Sequence, residues 1–318
     1  MNPGKPMKPE IVMVGPIMPA CMAALGHQYT VHQLWQAPEA NAFLKKIGSQ
    51  VRAIVTNGVL GAGGSLINAL PNLEIIVSYG VGVDAIDLLL AKKRGIPVTT
   101  TPDVLTEDVA DMALALLLVT SRRIVAGDQY VRSGQWAGGE MALTRRVSGK
   151  AIGIFGLGRV GRALARRAEA MNMKISYTNR QDLGVPYEFY PALTKLAADV
   201  DFLVITAAGG DSSRKAVNRP VLEALGSEGI LINVARGSIV DEEALVQTLR
   251  EGKLGGAGLD VFASEPNVPE ELRAMPNVVL QPHHASGTIE TRLAMGDLVI
   301  RNLEAHFAGQ PLLTPFTY

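Results

Sequence analysis

A glycine-punctuated stretch at residues 151–161, AIGIFGLGRVG, constrains this chain more than any other. Ala151 to Phe155 is a short apolar run of the kind buried in a parallel sheet. Gly156, Gly158 and Gly161 follow at G-x-G-x-x-G spacing, and residues 162–171 (RALARRAEAM) are rich in strong helix formers. Strand, glycine turn and helix in that order predict a dinucleotide site. Gly156 permits the tight turn, Gly158 lets backbone approach a pyrophosphate, and Gly161 lets the helix pack close to the strand. Amides at the helix start, from Arg159 and Val160, then meet the phosphates at the positive end of the helix dipole. The competing reading is an ordinary βα turn.

A length of 318 residues suits two domains at ~150 residues each. Thirty basic and thirty acidic residues cancel, so no charge excess recruits nucleic acid or an anionic membrane. The single cysteine, Cys21, has no intrachain partner and fits a reducing, cytoplasmic setting. Pro3, Pro6 and Pro9 stand where a signal peptide needs an apolar helix. The longest apolar stretch, 112–119, is too short to span a bilayer. No metal enters this reading.

Apolar runs at 11–14, 29–34, 53–56, 73–77 and 96–99 read as strands, with helices at 19–25, 40–47 and, after a Gly-rich loop at 58–64, on to residue 70. A second series of strands reads at 151–155, 174–177, 202–205, 230–234, 257–260 and 278–280, with a helix at 241–250. Strands alternating with helices predict parallel sheets covered on both faces. The fold class is therefore α/β, with two doubly wound domains, a Rossmann dinucleotide-binding domain and a flavodoxin-like one. A long helix at 106–122, with Asp103 or Thr106 as its cap, is apolar nearly all round and reads as a buried spine between the domains. The last helix, 288–307, lies beyond the final strand and crosses back to the first domain. Residues 1–101 with 286–318 make one discontinuous domain, and residues 102–285 make the dinucleotide domain.

Three residues fall at or just past strand ends of the second domain, where a nicotinamide would point. They are Arg236, Glu265 and His283. Reduction of a 2-keto acid needs a cation for the carboxylate, a proton donor for the developing alkoxide, and a hydride. Arginine supplies a planar fork, histidine a proton near neutral pH, and glutamate fixes the imidazole tautomer. Singly, each also reads as an ordinary loop residue.

The blocks NVARGSIVDEEAL, GGAGLDVFASEP and NVVLQPHHASGT, together with GLGRVG, resemble the D-isomer-specific 2-hydroxyacid dehydrogenases, and the likeness spans essentially the whole chain. EPNVPEEL, SGTIETRLAM and NLEAHFAGQPLLTP resemble the glyoxylate/hydroxypyruvate reductases within that family. The resemblance implies that Arg236 binds the substrate carboxylate and keto oxygen, that His283 donates the proton and that Glu265 is its partner. It implies that Asp260 and Thr106 lie near the nicotinamide, and that Val81 and Gly82 offer amides to the substrate carboxylate. It implies a homodimer built on the nucleotide domain, with the 106–122 helix in the interface and Trp136 reaching the partner; the competing reading makes Trp136 a core aromatic. The chain departs from the family pattern at His284, where a small or aliphatic residue is usual.

An NAD enzyme carries an acid at the end of the second strand of this unit. Here the strand ends YTNR, and Asn179 and Arg180 suit the 2′-phosphate of NADP(H). The alternative has Arg180 in solvent and Asp182 holding the ribose of NAD(H). Arg162 and Arg166 read as a solvated helix face. The expected reaction is NADPH-dependent reduction of a small 2-keto acid, glyoxylate or hydroxypyruvate, in a cleft that closes between the domains. An NAD-linked dehydrogenase of another 2-hydroxy acid, or a dinucleotide-sensing interaction protein, remains the alternative.

Overall fold

The computed structural model describes residues 8–317. Pro3 and Pro6 of the amino-terminal stretch lie outside them. The chain divides into two units, residues 1–105 with 287–318, and residues 106–286. The sequence reading placed the breaks at 101/102 and 285/286.

The first unit carries β1 (Glu10–Met13), β2 (Thr30–Gln33), β3 (Val51–Thr56), β4 (Ile75–Ser78) and β5 (Val98–Thr99), all parallel, in the order β2-β1-β3-β4-β5. This is the flavodoxin-like order, with its switch point between β1 and β3. Ile11, Val12, Met13, Ile54, Ile75 and Ile76 are fully buried, as strands covered on both faces require. The chain returns after the second unit to complete this one. The Ile289–Phe307 helix packs against β4 and the Pro19–Gln28 helix, and Thr314 and Phe316 hydrogen-bond Thr100 and Val98.

The second unit carries β6 (Ala151–Phe155), β7 (Lys174–Thr178), β8 (Glu188–Phe189), β9 (Phe202–Ile205), β10 (Ile230–Asn233), β11 (Gly256–Leu259) and β12 (Val278–Leu280). All are parallel, in the order β12-β11-β10-β9-β6-β7-β8. This is the Rossmann order extended by one strand, with its switch point between β6 and β9. β8 is absent from the sequence reading, because two residues beside Pro186 carry no periodicity.

The Thr106–Ser121 helix starts at Thr106 itself and belongs to the second unit. It packs against β10, β11 and the Arg159–Ala170 helix. Val109, Ala110, Ala113, Leu116 and Leu117 are buried, whereas Leu114, Leu118 and Val119 stay partly exposed. Arg166 and Arg167 pair with Glu107, and Arg167 with Asp111, so Arg166 is not the purely solvated group expected of it.

Candidate active site

Gly156 adopts a φ of 99°, and a Cβ there would lie 2.5 Å from the backbone of Ala207, just past β9. A Cβ on Gly161 would lie 2.5 Å from the Gly156 carbonyl. At Gly158 nothing stands within 4 Å of a Cβ position, so this side of the turn is open. The turn is held from both flanks of the switch point. The Thr206 hydroxyl donates to the Gly156 carbonyl (2.7 Å), the Gly156 amide donates to Thr178 (3.0 Å), and Asn179 Oδ1 accepts the Leu157 amide (2.8 Å). Gly158 caps the Arg159–Ala170 helix, whose first turn begins with Arg159 and Val160. An open glycine next to a helix start fits a pyrophosphate. Thr206 escaped the sequence reading; its signal is a hydroxyl directly after the apolar run 202–205.

Past β7, Arg180 is exposed and reaches the Ser212 hydroxyl at 3.4 Å. Asn179 has its carbonyl oxygen committed to the glycine turn, so its amide nitrogen remains as a donor. Asp182 accepts the Tyr177 hydroxyl (2.6 Å) and the Gly184 amide (3.0 Å), and these bonds hold its carboxyl below the usual range.

Three neighbouring strands deliver the polar group. Arg236 stands three residues past β10, Asp260 directly past β11 and His283 three residues past β12. Asn233, the polar last residue of β10, shapes the first loop: its side chain donates to the Arg236 carbonyl (2.9 Å) and accepts the Ala235 amide (3.1 Å). His283 Nδ1 meets Glu265 Oε2 at 2.6 Å, and Glu265 Oε1 accepts the Phe262 amide at 3.0 Å. Burial alone would raise the Glu265 carboxyl, but the bonds from His283 and Phe262 and the charge of Arg236 bring it below its ordinary value. Asp260 is fully buried, and its carboxyl is raised by that burial despite bonds from the His284 and Ala285 amides. His283 has a φ of 53°, a left-handed conformation unusual for a side chain-bearing residue. His284 is exposed, and its amide serves Asp260.

The structure therefore gathers Arg236, Asp260, Glu265 and His283 at one sheet edge, and Gly156, Gly158, Arg159, Val160, Gly161, Asn179 and Arg180 around the glycine turn. Thr106 is the first residue of its helix. Val81 and Gly82 lie in the first unit, past β4; Val81 is half exposed, and the Gly82 carbonyl accepts the Ser78 hydroxyl at 3.3 Å. Trp136 is 66% exposed, which rules out a core aromatic within the chain. Among the described residues no cluster has the ligands for a metal ion, and no helix is long and apolar enough to cross a membrane.

Residues 114–285 match the family described as D-isomer specific 2-hydroxyacid dehydrogenase, NAD binding domain. Glyoxylate/hydroxypyruvate reductase A of Arabidopsis thaliana is 49% identical, over 96% of this chain and 98% of its own length. The crystal structure of a 2-hydroxyacid dehydrogenase from Ketogulonicigenium vulgare is 51% identical with a TM-score of 0.91, covering 98% of this chain and 99% of that one. An NADPH-dependent glyoxylate/hydroxypyruvate reductase from Sinorhizobium meliloti, solved with NADP and malonate, is 43% identical with a TM-score of 0.90, covering 98% and 97%.

Proposed function

This chain belongs to the D-isomer-specific 2-hydroxyacid dehydrogenases, and from that premise we propose that it reduces glyoxylate and hydroxypyruvate with NADPH, His283 serving as proton donor. The observation that carries the proposal is the 2.6 Å pair of His283 Nδ1 and Glu265, on a strand edge shared with Arg236. The pair fixes the ring by Nδ1 and leaves Nε2 to face the keto oxygen. Arg236 holds the carboxylate and keto oxygen through its planar fork. Bound NADPH supplies the hydride taken up at C2. As the carbonyl pair moves onto oxygen, His283 delivers the proton that completes the hydroxyl, and Glu265 stabilises the charged ring beforehand. Asp260 fixes the loop beside the nicotinamide end, with Thr106 near it, and Val81 and Gly82 offer amides to the carboxylate.

Gly156, Gly158, Arg159, Val160 and Gly161 would hold the pyrophosphate. The absence of an acid directly after β7 favours the 2′-phosphate, with Arg180 and the Asn179 amide nitrogen as its donors; NAD(H) is the weaker cofactor. Asp182, tied to Tyr177 and Gly184, supports this choice.

We propose a homodimer built on the second unit. Ile124, Val125, Val131, Trp136 and Leu143 are at least about half exposed on residues 124–143, which supports cover by a second copy. A monomer by light scattering would overturn it. A cytoplasmic location suits the one buried thiol, Cys21.

The test of the activity is loss of reduced-nicotinamide absorbance with NADPH or NADH and glyoxylate, hydroxypyruvate or pyruvate. Fast NADPH oxidation with the first two is expected. Dinucleotide binding without turnover would favour a sensor instead.

A further inference from the structure

The first unit contains four arginines, and three of them are bonded to carboxylates or to backbone carbonyls, while the fourth meets only the side chain of a tyrosine. Arg52 forms a two-point pair with Glu74 (2.6 and 2.9 Å). Arg94 donates to the carbonyls of Ile67, Leu70 and Pro71 (the last two at 2.9 Å). Arg301 pairs with Asp297 at 3.4 Å. Arg292 differs: its guanidinium lies over the ring of Tyr79, 5.7 Å from the centroid, and among the described residues no carboxylate stands within ion-pair distance of it. It is also partly buried.

Its place on the helix makes this costlier. Arg292 is the fourth residue of the Ile289–Phe307 helix, in the first turn, where a cation opposes the helix dipole. The position is held from both sides. One turn on, a Cβ at Gly296 would lie 2.0 Å from Cys21 Sγ and 3.9 Å from the Tyr79 ring, so the helix is seated as closely as glycine permits. Residues four apart share a helix face, which brings Arg292 over the same ring. The Tyr79 hydroxyl in turn donates to the Arg292 carbonyl at 2.7 Å.

Tyr79 is the first residue past β4, two positions before Val81. The loops at this end of the sheet, residues 14–18, 57–63 and 79–87, contain no lysine or arginine, and they contain Asp84 and Asp87. Arg292 is thus a cation brought to the carboxyl end of β4, stacked on a neutral ring that leaves its charge unneutralised.

We propose that Arg292 is a further substrate-binding residue, contacting the carboxylate of the 2-keto acid whose other ligands in this unit are the Val81 and Gly82 amides. This rests on the function proposed above. The contact is to the carboxylate, which glyoxylate and hydroxypyruvate share, and not to the C3 hydroxyl.

The experiment compares wild type, Arg292→Gln and Arg292→Lys in NADPH oxidation with both substrates, and in inhibition by oxalate, a non-reacting anion. A charge-assisted hydrogen bond to a carboxylate predicts that Arg292→Gln raises KM for both substrates by about 10–100-fold. The oxalate inhibition constant rises in parallel, while kcat and the KM for NADPH change by less than about threefold. Arg292→Lys falls between, since it keeps charge without the planar fork. KM and oxalate inhibition within about twofold of wild type in both variants would overturn the assignment, as would a rise confined to hydroxypyruvate. Failure of the wild type to turn over either substrate would strike the underlying function instead.

Discussion

Asp260 anchors the turn that carries His283. Its backbone carbonyl accepts the His283 amide at 2.8 Å, and its two carboxylate oxygens accept the amides of His284 (2.7 Å) and Ala285 (3.0 Å). Three consecutive amides thus converge on one buried residue, and the left-handed φ of His283 is held by that convergence.

Asp260→Asn keeps the size but turns one acceptor into a donor facing an amide. Unmet buried bonds of this kind cost about 1–3 kcal/mol. The variant is expected to have a lower Tm and at least about tenfold lower kcat, with NADPH affinity less affected. Wild-type kcat would show that the imidazole is positioned without the carboxylate.

Removal of the imidazole tests the chemistry directly. His283→Ala should lose about 10²–10⁴-fold in kcat, the range for a positioned general acid. NADPH binding, followed by fluorescence, should stay near wild type. Near-normal turnover would remove His283 from the mechanism.

Glu265 has a folded-state carboxyl below its ordinary value. Its contribution to stability is therefore present above the ordinary carboxylate range and is lost as pH falls through the folded value. The Tm gap between wild type and Glu265→Gln should close on acidification below about pH 4. A gap that persists at pH 3 would count against the pair.

Arg180→Ala should raise the KM for NADPH by about tenfold or more, and leave that for NADH nearly unchanged, as expected for loss of a guanidinium–phosphate contact. Equal effects on both would remove the 2′-phosphate role.

Gly156 and Gly158 separate folding from binding. Gly156→Ala meets Ala207 at 2.5 Å in a left-handed conformation and should lower Tm markedly. Gly158→Ala meets no protein atom within 4 Å and should fold normally, yet weaken dinucleotide binding, measurable by calorimetry.

Much of this was readable along the chain because strand ends put chemistry where hydrophobic runs stop. Arg236, Glu265 and His283 each follow such a run, and the glycine spacing alone marks its turn. What escaped lies in side chains that act across the sequence. Asn233 and Thr206 look like ordinary strand-end residues until Arg236 and Gly156 are folded beside them. Asp260 was read only as a neighbour of the nicotinamide, since amides converging from residues 283–285 leave no mark at position 260. β8 has two residues and no period to detect, and Trp136 had equal claims to core and surface until its exposure decided.

The discontinuity of the first unit bears on the order in which the molecule matures. Residues 106–286 are contiguous, so every strand of their sheet lies within one uninterrupted stretch of chain. The other unit must wait: Thr314 closes against Thr100, and the last helix docks beside β4, only after some two hundred intervening residues have been made. Until that helix docks, the five-stranded sheet lacks one wall around Tyr79 and Cys21, and transiently exposed apolar surface of this kind is prone to aggregation.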